Sequence, residues 1–204
     1  YTTLFRSDRD DTADSVYVKV REVGNVKDFH GFKWMSDYRH YPESIQTGRY
    51  EIKNNESVYH VFSRIWRGYQ TPMNITINSA RTMKRLAGQA GRQLMIDSVE
   101  SATLMYDSAF QAKMGYTKET MPALFIPDTY EMYWDISVDE FFERMQAEHR
   151  RFWNTQRKAK AQEMGLTENE VATLASIVEE ETNNNGEKPS VAGLYYNRLR
   201  IGMP

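Results

Sequence analysis

The sequence of 204 residues contains no cysteine. This absence excludes thiol nucleophiles, disulfide bonds and zinc sites built on cysteine. No apolar run approaches the ~20 residues that cross a bilayer as a helix, and no signal-like segment follows Tyr1. Since the chain begins abruptly at Tyr1 and stops abruptly at Pro204, both ends are interpreted as boundaries.

A strong excess of one charge is also missing, because 26 lysines and arginines stand against 28 aspartates and glutamates. The net charge of -2 gives no electrostatic reason to expect nucleic acid or an anionic membrane surface as a partner. The four histidines, at positions 30, 40, 60 and 149, have no ligand spacing, so neither a metal nor a cofactor is predicted. The composition is that of a soluble globular protein with one large domain or two small ones.

Strand and helix signals alternate in the first third of the chain. Residues 1–53 are predicted to form strand, helix, helix and strand, with the helices at 12–22 and 26–38. Ser57 is predicted to cap a third helix, and residues 73–77 alternate like a further strand.

From Arg81 onward the pattern is helical, most clearly over residues 137–163. Ser137 and Glu140 have the spacing of a capping box at the start of this helix. Neighbouring glutamates indicate that its basic stretch is a solvated helix face rather than a polyanion site.

A second capping box, Thr167 with Glu170, predicts a helix that begins at Glu168 and continues to Thr182. The residues at 183–186, Asn-Asn-Asn-Gly, end it. Three consecutive glutamates occupy its last turn, where the partial negative charge of the helix terminus disfavours acids. Their presence calls for another explanation.

Helical geometry separates the three glutamates. At about 100° per residue, the apolar residues from Val171 to Val178 occupy an arc from about 240° through zero to about 40°. Glu181 falls inside this arc at about 280°, whereas Glu179 and Glu180 fall outside it. A carboxyl group among apolar neighbours keeps its proton more readily, which suits a general acid. The alternative is a helix-end side chain that extends into solvent, and geometry alone leaves both open.

Four stretches together resemble one family. These are Ala-Ser-Ile-Val-Glu-Glu-Glu-Thr at 175–182, Val-Ala-Gly-Leu-Tyr-Tyr-Asn-Arg-Leu-Arg-Ile-Gly-Met at 191–203, Leu-Phe-Ile-Pro-Asp-Thr-Tyr at 124–130 and Thr-Gly-Arg-Tyr at 47–50. They are similar to the motifs of the YceG-like (MltG) family of endolytic murein transglycosylases. The likeness covers the chain from about residue 40 to its end, and residues 1–40 more loosely.

The resemblance implies an α+β fold. A small LysM-like βααβ module would occupy residues 1–78, followed by a mainly helical lytic-transglycosylase catalytic domain at 79–204. The family continues beyond its Gly-Met pair with further groove-forming segments, so the catalytic domain is expected to be truncated at its C-terminus here. The family also carries an N-terminal membrane helix, so the resemblance implies attachment to a membrane only through an anchor absent from this chain.

The resemblance further implies that the glutamate directly before the threonine, Glu181, is the single catalytic acid/base. This residue would protonate the glycosidic oxygen between N-acetylmuramic acid and N-acetylglucosamine, then take the proton of the C6 hydroxyl as a 1,6-anhydro ring closes. Glu179 matches the other acid of the motif and is the second candidate.

Further substrate-binding candidates are Asn197 and Arg198, for which pairing at a helix end is the alternative to a glycan contact. Asp128 and Tyr130, expected in a turn after Pro127, either line the groove or hold it in shape. Tryptophans are candidates for stacking on sugars, but Trp66 and Trp153 lie on apolar helical faces and are assigned to the core.

The expected partners are peptidoglycan glycan strands and cell-wall synthases, at the outer face of the bacterial cytoplasmic membrane. Two other functions stay open: a non-catalytic peptidoglycan-binding or wall-synthesis scaffold module, and a pyridoxal-phosphate-dependent aminodeoxychorismate lyase. The lyase needs a Schiff-base lysine and a phosphate cradle, and no glycine-rich loop precedes a helix here.

Overall fold

A computed structural model describes residues 2–24, 29–80 and 82–203. The chain divides into two compact units. The first comprises residues 1–76, 90–97 and 129–137, and the second comprises 77–89, 98–128 and 138–204. Residues 25–28, which include the start of the helix predicted at 26–38, lie outside the described residues, as do Tyr1, Arg81 and Pro204.

The first unit begins with the predicted order of strand, helix, helix and strand. These elements are β1 (Thr2–Ser7), α1 (Ala13–Gly24), α2 (His30–Tyr38) and β2 (Gly48–Lys53). Strands β1 and β2 pair antiparallel, with Thr2 opposite Lys53 and Ser7 opposite Gly48. The βααβ prediction is confirmed, with a 3-10 turn at Tyr41–Glu43 between α2 and β2.

Aromatic side chains fill the core of the first unit. Tyr41 and Tyr50 have no exposed surface and Phe32 has 1%, and α3 (Val58–Trp66) packs against them. Ser57 caps α3 as predicted, because its hydroxyl accepts a hydrogen bond from the backbone N–H of His60.

The backbone conformation at position 48, at the start of β2, requires a glycine. Gly48 has a φ of +143°, and a Cβ at this position would collide with the side chain of Gln70. Glycine alone adopts this conformation without strain. The Gly-Arg-Tyr motif therefore marks the point where the chain enters β2.

A second two-stranded sheet joins β3 (Met73–Ile77) to β4 (Asp128–Met132). The strand predicted at 73–77 is confirmed, but the turn predicted for Asp128 and Tyr130 is wrong. Thr129 and Tyr130 are strand-favouring residues that alternate between exposed and buried, and the Thr129 hydroxyl lies 3.0 Å from that of Thr76 on β3. Pairing with β3 therefore outweighs the local turn signal of Pro127.

The second unit is mainly helical. The helices from α4 onward are α4 (Met83–Gln93), α5 (Ser98–Tyr106), α6 (Ser108–Met114), α7 (Val138–Phe152), α8 (Thr155–Glu163), α9 (Glu168–Glu181) and α10 (Lys188–Arg200), with a 3-10 turn at Met121–Leu124. Residues 90–93 of α4 belong to the first unit, and the rest of these helices belong to the second. Phe141 and Phe142 of α7 are fully buried in its core. No helix among the described residues is long and apolar enough to cross a membrane.

The single helix predicted over 137–163 is in fact two. Asn154 interrupts it, because its side chain accepts a hydrogen bond from the backbone N–H of Arg157 and so caps α8. Trp153, just before the break, is 5% exposed, which confirms its assignment to the core. Trp66 in the first unit is partly buried against the core there.

Candidate active site

Helix α9 begins at the predicted capping box. The hydroxyl of Thr167 accepts a hydrogen bond from the backbone N–H of Glu170 at 3.2 Å, and the Glu170 carboxylate accepts one from the backbone N–H of Thr167 at 2.7 Å. The two bonds satisfy helix donors that would otherwise lack partners. They fix where the helix starts.

The buried stripe of α9 is narrow. Leu174 and Val178 are buried, one helical turn apart, whereas Ile177 is 38% exposed. Glu181 is exposed, so the prediction that it points toward the packed side of the helix is wrong. The predicted arc counted every apolar residue as buried, but the neighbours of α9 within the second unit cover only the Leu174–Val178 side of it.

Glu181 lies at the end of α9 and contacts α10, which packs along it to form a helical hairpin. The hydroxyl of Tyr195 on α10 donates a hydrogen bond to Oε1 of Glu181 at 2.7 Å. This bond to the carboxylate raises the pKa of the Tyr195 phenol. The phenol therefore remains a neutral hydrogen-bond donor at physiological pH.

Glu179 has a different partner from Glu181. The ammonium group of Lys188, the first residue of α10, donates to Oε2 of Glu179 at 2.5 Å. The two acids of the motif thus contact the same helix in different ways, one through a cation and the other through a neutral hydroxyl.

The loop between α9 and α10 is closed by its own polar side chains. The carboxylate of Glu187 accepts hydrogen bonds from the hydroxyl of Thr182 at 2.9 Å and from the amide of Asn184 at 3.0 Å. The Asn184 side chain also accepts from the backbone N–H of Gly186 at 3.0 Å. These bonds connect Thr182, the C-cap of α9, to Glu187, the N-cap of α10.

Arg198 belongs to the same cluster as Glu181. Its guanidinium group lies 5.6 Å from the ring centroid of Tyr195, the residue that binds Glu181. Asn197 is exposed on α10, and its backbone carbonyl accepts a hydrogen bond from Ile201 at the end of the helix. The hairpin therefore carries four of the predicted site residues, Glu179, Glu181, Asn197 and Arg198.

The remaining two predicted site residues lie on β4. Asp128 is exposed at the start of the strand. Tyr130 is 6% exposed and belongs to the first unit. Its burial is that of a core side chain.

Sequence reasoning missed Tyr195 and Lys188. Both lie in or next to the motif that carries the family resemblance, but their partners depend on the rotation of α10 about its own axis. The available signal was the short loop at 182–187, because two helices joined by so few residues pack side by side.

A cavity of about 640 Å³ opens in the second unit at the other end of α9. Its walls include Tyr116, His149 and the ion pair of Lys158 with Glu168, whose atoms are 2.9 Å apart. Burial lowers the pKa of His149 and raises that of Tyr116 to about 12. At about 1.5 Å of rise per residue, Glu181 is roughly 20 Å further along the helix. The cavity is therefore not part of the Glu181 site.

Residues 6–204 match the YceG-like family, and the chain belongs to this family, as the motifs predicted. It is 26% identical over 217 aligned positions to an endolytic murein transglycosylase of Streptococcus pneumoniae strain R6, and 25% identical over 218 to that of serotype 2 strain D39. Each alignment covers 91% of this chain but 38% of the relative, so the chain spans well under half of these proteins.

The fold has a counterpart among solved structures. A crystal structure of a putative YceG-like protein from Listeria monocytogenes superposes with a TM-score of 0.60 at 16% identity. The match covers 99% of this chain and 71% of the Listeria chain. At this identity the likeness concerns the fold, which is the mixed α+β arrangement described above.

Proposed function

We propose that this chain carries the catalytic acid/base of an endolytic murein lytic transglycosylase, and that Glu181 is that residue. The observation that carries the proposal is the Glu181 carboxylate itself, exposed to an incoming substrate and held at 2.7 Å by the neutral hydroxyl of Tyr195. Membership of the YceG-like family and relatives named as endolytic murein transglycosylases support the same reaction class.

The partners of the two acids favour Glu181 over Glu179. A carboxylate held in an ion pair is less available to a substrate than one that accepts a hydrogen bond from a neutral hydroxyl. Glu179 contacts the ammonium of Lys188, whereas Glu181 contacts a phenol. In this proposal the Glu179–Lys188 pair holds the hairpin closed, and Glu181 does the chemistry.

The reaction needs only one carboxyl group. Glu181 donates its proton to the oxygen between N-acetylmuramic acid and N-acetylglucosamine, and the bond from C1 to that oxygen breaks. The C6 hydroxyl of the same muramic acid then bonds to C1, and the Glu181 carboxylate takes the hydroxyl proton. The product is a 1,6-anhydro ring, no water is consumed, and Glu181 returns to its starting state. Most glycosidases need a second carboxylate for the step that the C6 hydroxyl performs here.

Tyr195 and Arg198 act through Glu181. The phenol of Tyr195 occupies Oε1 and fixes the orientation of the carboxyl group, so that Oε2 is directed to the substrate. The guanidinium group of Arg198 lies against the Tyr195 ring and positions it. Asn197 and Asp128, both exposed, are proposed glycan contacts, and Tyr130 is proposed to hold β4 in place.

We also propose that the βααβ module is LysM-like and that it ends near residue 78. The protein is proposed to act at the outer face of the cytoplasmic membrane, attached by an anchor outside this chain, with cell-wall synthases as partners.

A non-catalytic peptidoglycan-binding module is the second candidate. The observation in its favour is that Glu181 is exposed, since desolvation is a usual way to keep a catalytic carboxyl group protonated. Binding without cleavage would use the same surface.

Digestion of purified murein by the full-length protein separates the two candidates. Mass spectrometry of the released fragments is expected to find 1,6-anhydromuramic ends, and Glu181→Gln is expected to lower their release by about 10²-fold or more. Reducing ends without anhydro rings would contradict the lytic mechanism, and no release at all would favour the binding module.

A further inference from the structure

The cavity at the start of α9, which we call the His149 cavity, has a buried histidine in its wall. His149 is 7% exposed, and its Nε2 atom is removed from solvent and has no hydrogen-bond partner among the residues that the structure describes. The large majority of buried polar side-chain atoms are hydrogen-bonded, because an unpaired one costs free energy. Since His149 lines the cavity, a ligand bound there would supply the partner that the ring lacks.

Further donors lie at the same cavity, at the N-terminus of α9. The first backbone N–H groups of a helix have no partner within it, and they attract negative charge. The capping box occupies the N–H groups of Thr167 and Glu170. Within the described part of the chain, those of Glu168 and Asn169 donate to no other residue, and both residues line the cavity. A helix terminus and a buried ring therefore offer hydrogen bonds to the same space.

The charges around the His149 cavity favour an anion. Burial lowers the pKa of His149 first of all, and the charges that act on this pKa are those of Glu168, Lys158 and Arg150. Two cations and one acid leave an excess of one positive charge around a neutral imidazole. The ion pair of Lys158 with Glu168 is partly exposed, so the ammonium group can also reach a ligand. This balance favours a single negative charge over a neutral group or a dianion.

The rest of the lining fits a peptide. Met114, Ala161 and Leu166 provide apolar contacts, and Gln162 and Asn169 provide side-chain amides that can pair with peptide bonds. The volume of about 640 Å³ lies in the usual range of small-molecule sites, roughly 300–1,000 Å³. An inorganic anion would leave the apolar part of this lining unfilled. A short peptide with a free carboxylate has both the charge and the apolar groups that the cavity can contact.

We propose that the His149 cavity binds the carboxylate of a short peptide, with His149 Nε2 and the first N–H groups of α9 as donors and Lys158 as the cation. The source of the peptide rests on the proposed function, because murein carries peptide stems with free carboxylates. The cavity is roughly 20 Å from Glu181 along α9, so a stem bound there takes no part in bond cleavage.

Calorimetric titration of the full-length protein tests the site, with stem peptides released from purified murein by an amidase as the probe. His149→Leu and Lys158→Met are each expected to weaken binding by about tenfold, since each removes a hydrogen bond to a charged group. Lys160→Met is the matched control, because Lys160 is exposed on the same helix as Lys158 but does not line the cavity. Its effect is expected to be less than about twofold.

Two readouts separate loss of a contact from loss of folding. Circular dichroism and urea unfolding check each variant, and His149→Gln, which keeps an N–H donor in the side chain, is expected to bind better than His149→Leu. In the NMR spectrum of the unmodified protein, the imidazole signals of His149 are expected to shift when the peptide binds. Imidazole signals that stay in place while peptide binds would overturn the cavity as the site.

A second arm tests the charge of the ligand. Glu168→Gln removes the acid that competes for Lys158 and keeps the backbone N–H, so it is expected to tighten binding by a few-fold. Weaker binding in Glu168→Gln would overturn the carboxylate, because it would mean that Glu168 holds a cationic group of the peptide. Stem peptides whose carboxylates have been converted to amides are expected to bind at least tenfold more weakly.

The remaining outcomes would overturn the proposal. Equal affinity for amidated and unmodified peptides would remove the carboxylate from it, and hexanoate bound as tightly as the stem peptides would remove the peptide. No binding of any of these probes would leave the cavity without a ligand of this class. Failure of the proposed function is distinguishable, because it would appear as anhydro products that persist in Glu181→Gln, whatever the His149 cavity binds.

Discussion

The core of the first unit and the α9–α10 hairpin of the second unit are stabilised by different kinds of contact. In the first unit, Phe32, Tyr41 and Tyr50 are almost completely removed from water and pack into one aromatic cluster. In the hairpin, α9 buries only Leu174 and Val178, and α10 has no buried residue. Polar side-chain contacts hold the two helices together instead.

The difference indicates that the core of the first unit contributes more to stability, whereas the hairpin carries the candidate catalytic residue. Burial of large apolar side chains is the main source of folding free energy, and segments with few buried contacts open most readily. Binding and catalytic groups are commonly carried by such segments. The candidate catalytic residue therefore lies where burial contributes little to stability.

The largest expected effect on stability is in the first unit. Phe32→Ala would remove a ring that is 1% exposed and contacts both Phe29 and Phe62. It is expected to lower the free energy of unfolding by about 3–5 kcal/mol, measured by urea denaturation. A loss below about 1 kcal/mol would contradict the account of this core.

A smaller effect is expected from Tyr195→Phe. It removes the hydrogen bond to Glu181 and keeps the ring against Arg198. The rate of anhydro-product release is expected to fall on the order of tenfold, because one orienting hydrogen bond is lost. The urea midpoint should stay the same, and a change in stability without a change in rate would make Tyr195 purely structural.

The pH dependence of stability provides the next test, at His149 in the second unit. Burial lowers the pKa of His149 in the folded protein, whereas the unfolded imidazole keeps its ordinary pKa. At pH values between the folded-state pKa and the unfolded-state pKa of His149, the unfolded protein binds more protons than the folded protein. The stabilisation is therefore complete above the unfolded-state pKa and is lost as the pH falls toward the folded-state pKa.

The free energy of unfolding is thus expected to decline as pH falls below about 6.5, before the carboxylates titrate. His149→Leu should flatten this decline in urea titrations at matched pH values. His60→Gln is the control, because His60 is exposed, and it should leave the slope intact. An unchanged slope in His149→Leu would assign the decline to other groups.

The smallest effect is expected in the hairpin. Leu194 on α10 is 58% exposed, so Leu194→Ala should change the free energy of unfolding by less than about 0.5 kcal/mol. Amide hydrogen exchange should also be faster in α10 than in α3. A loss as large as that of Phe32→Ala would remove the contrast between the two regions.

Local signals in the sequence predicted the elements that depend on neighbouring residues. The capping box of Thr167 and Glu170, the cap at Ser57 and the βααβ order are all confirmed. Each depends on hydrogen bonds or periodicity within a few residues, which the sequence displays directly.

Two predictions that depended on tertiary contacts were wrong. Asp128 and Tyr130 form a strand because β3 pairs with it, and Glu181 is exposed because few neighbours cover that side of α9. The Tyr195 contact depends on how α10 is rotated, which no periodicity in the sequence specifies. The break at Asn154 is an exception, since an asparagine cap is a local signal that the helical pattern concealed.

The most direct test of the central claim compares Glu181→Gln with Glu179→Gln in the full-length protein, by counting 1,6-anhydromuramic ends released from murein. Both changes replace an exposed carboxylate of the same helical turn by its uncharged isostere, and urea unfolding checks that each variant is folded. The account predicts that Glu181→Gln lowers release by about 10²-fold or more and that Glu179→Gln retains most of it. Loss of release in Glu179→Gln with activity preserved in Glu181→Gln would contradict it.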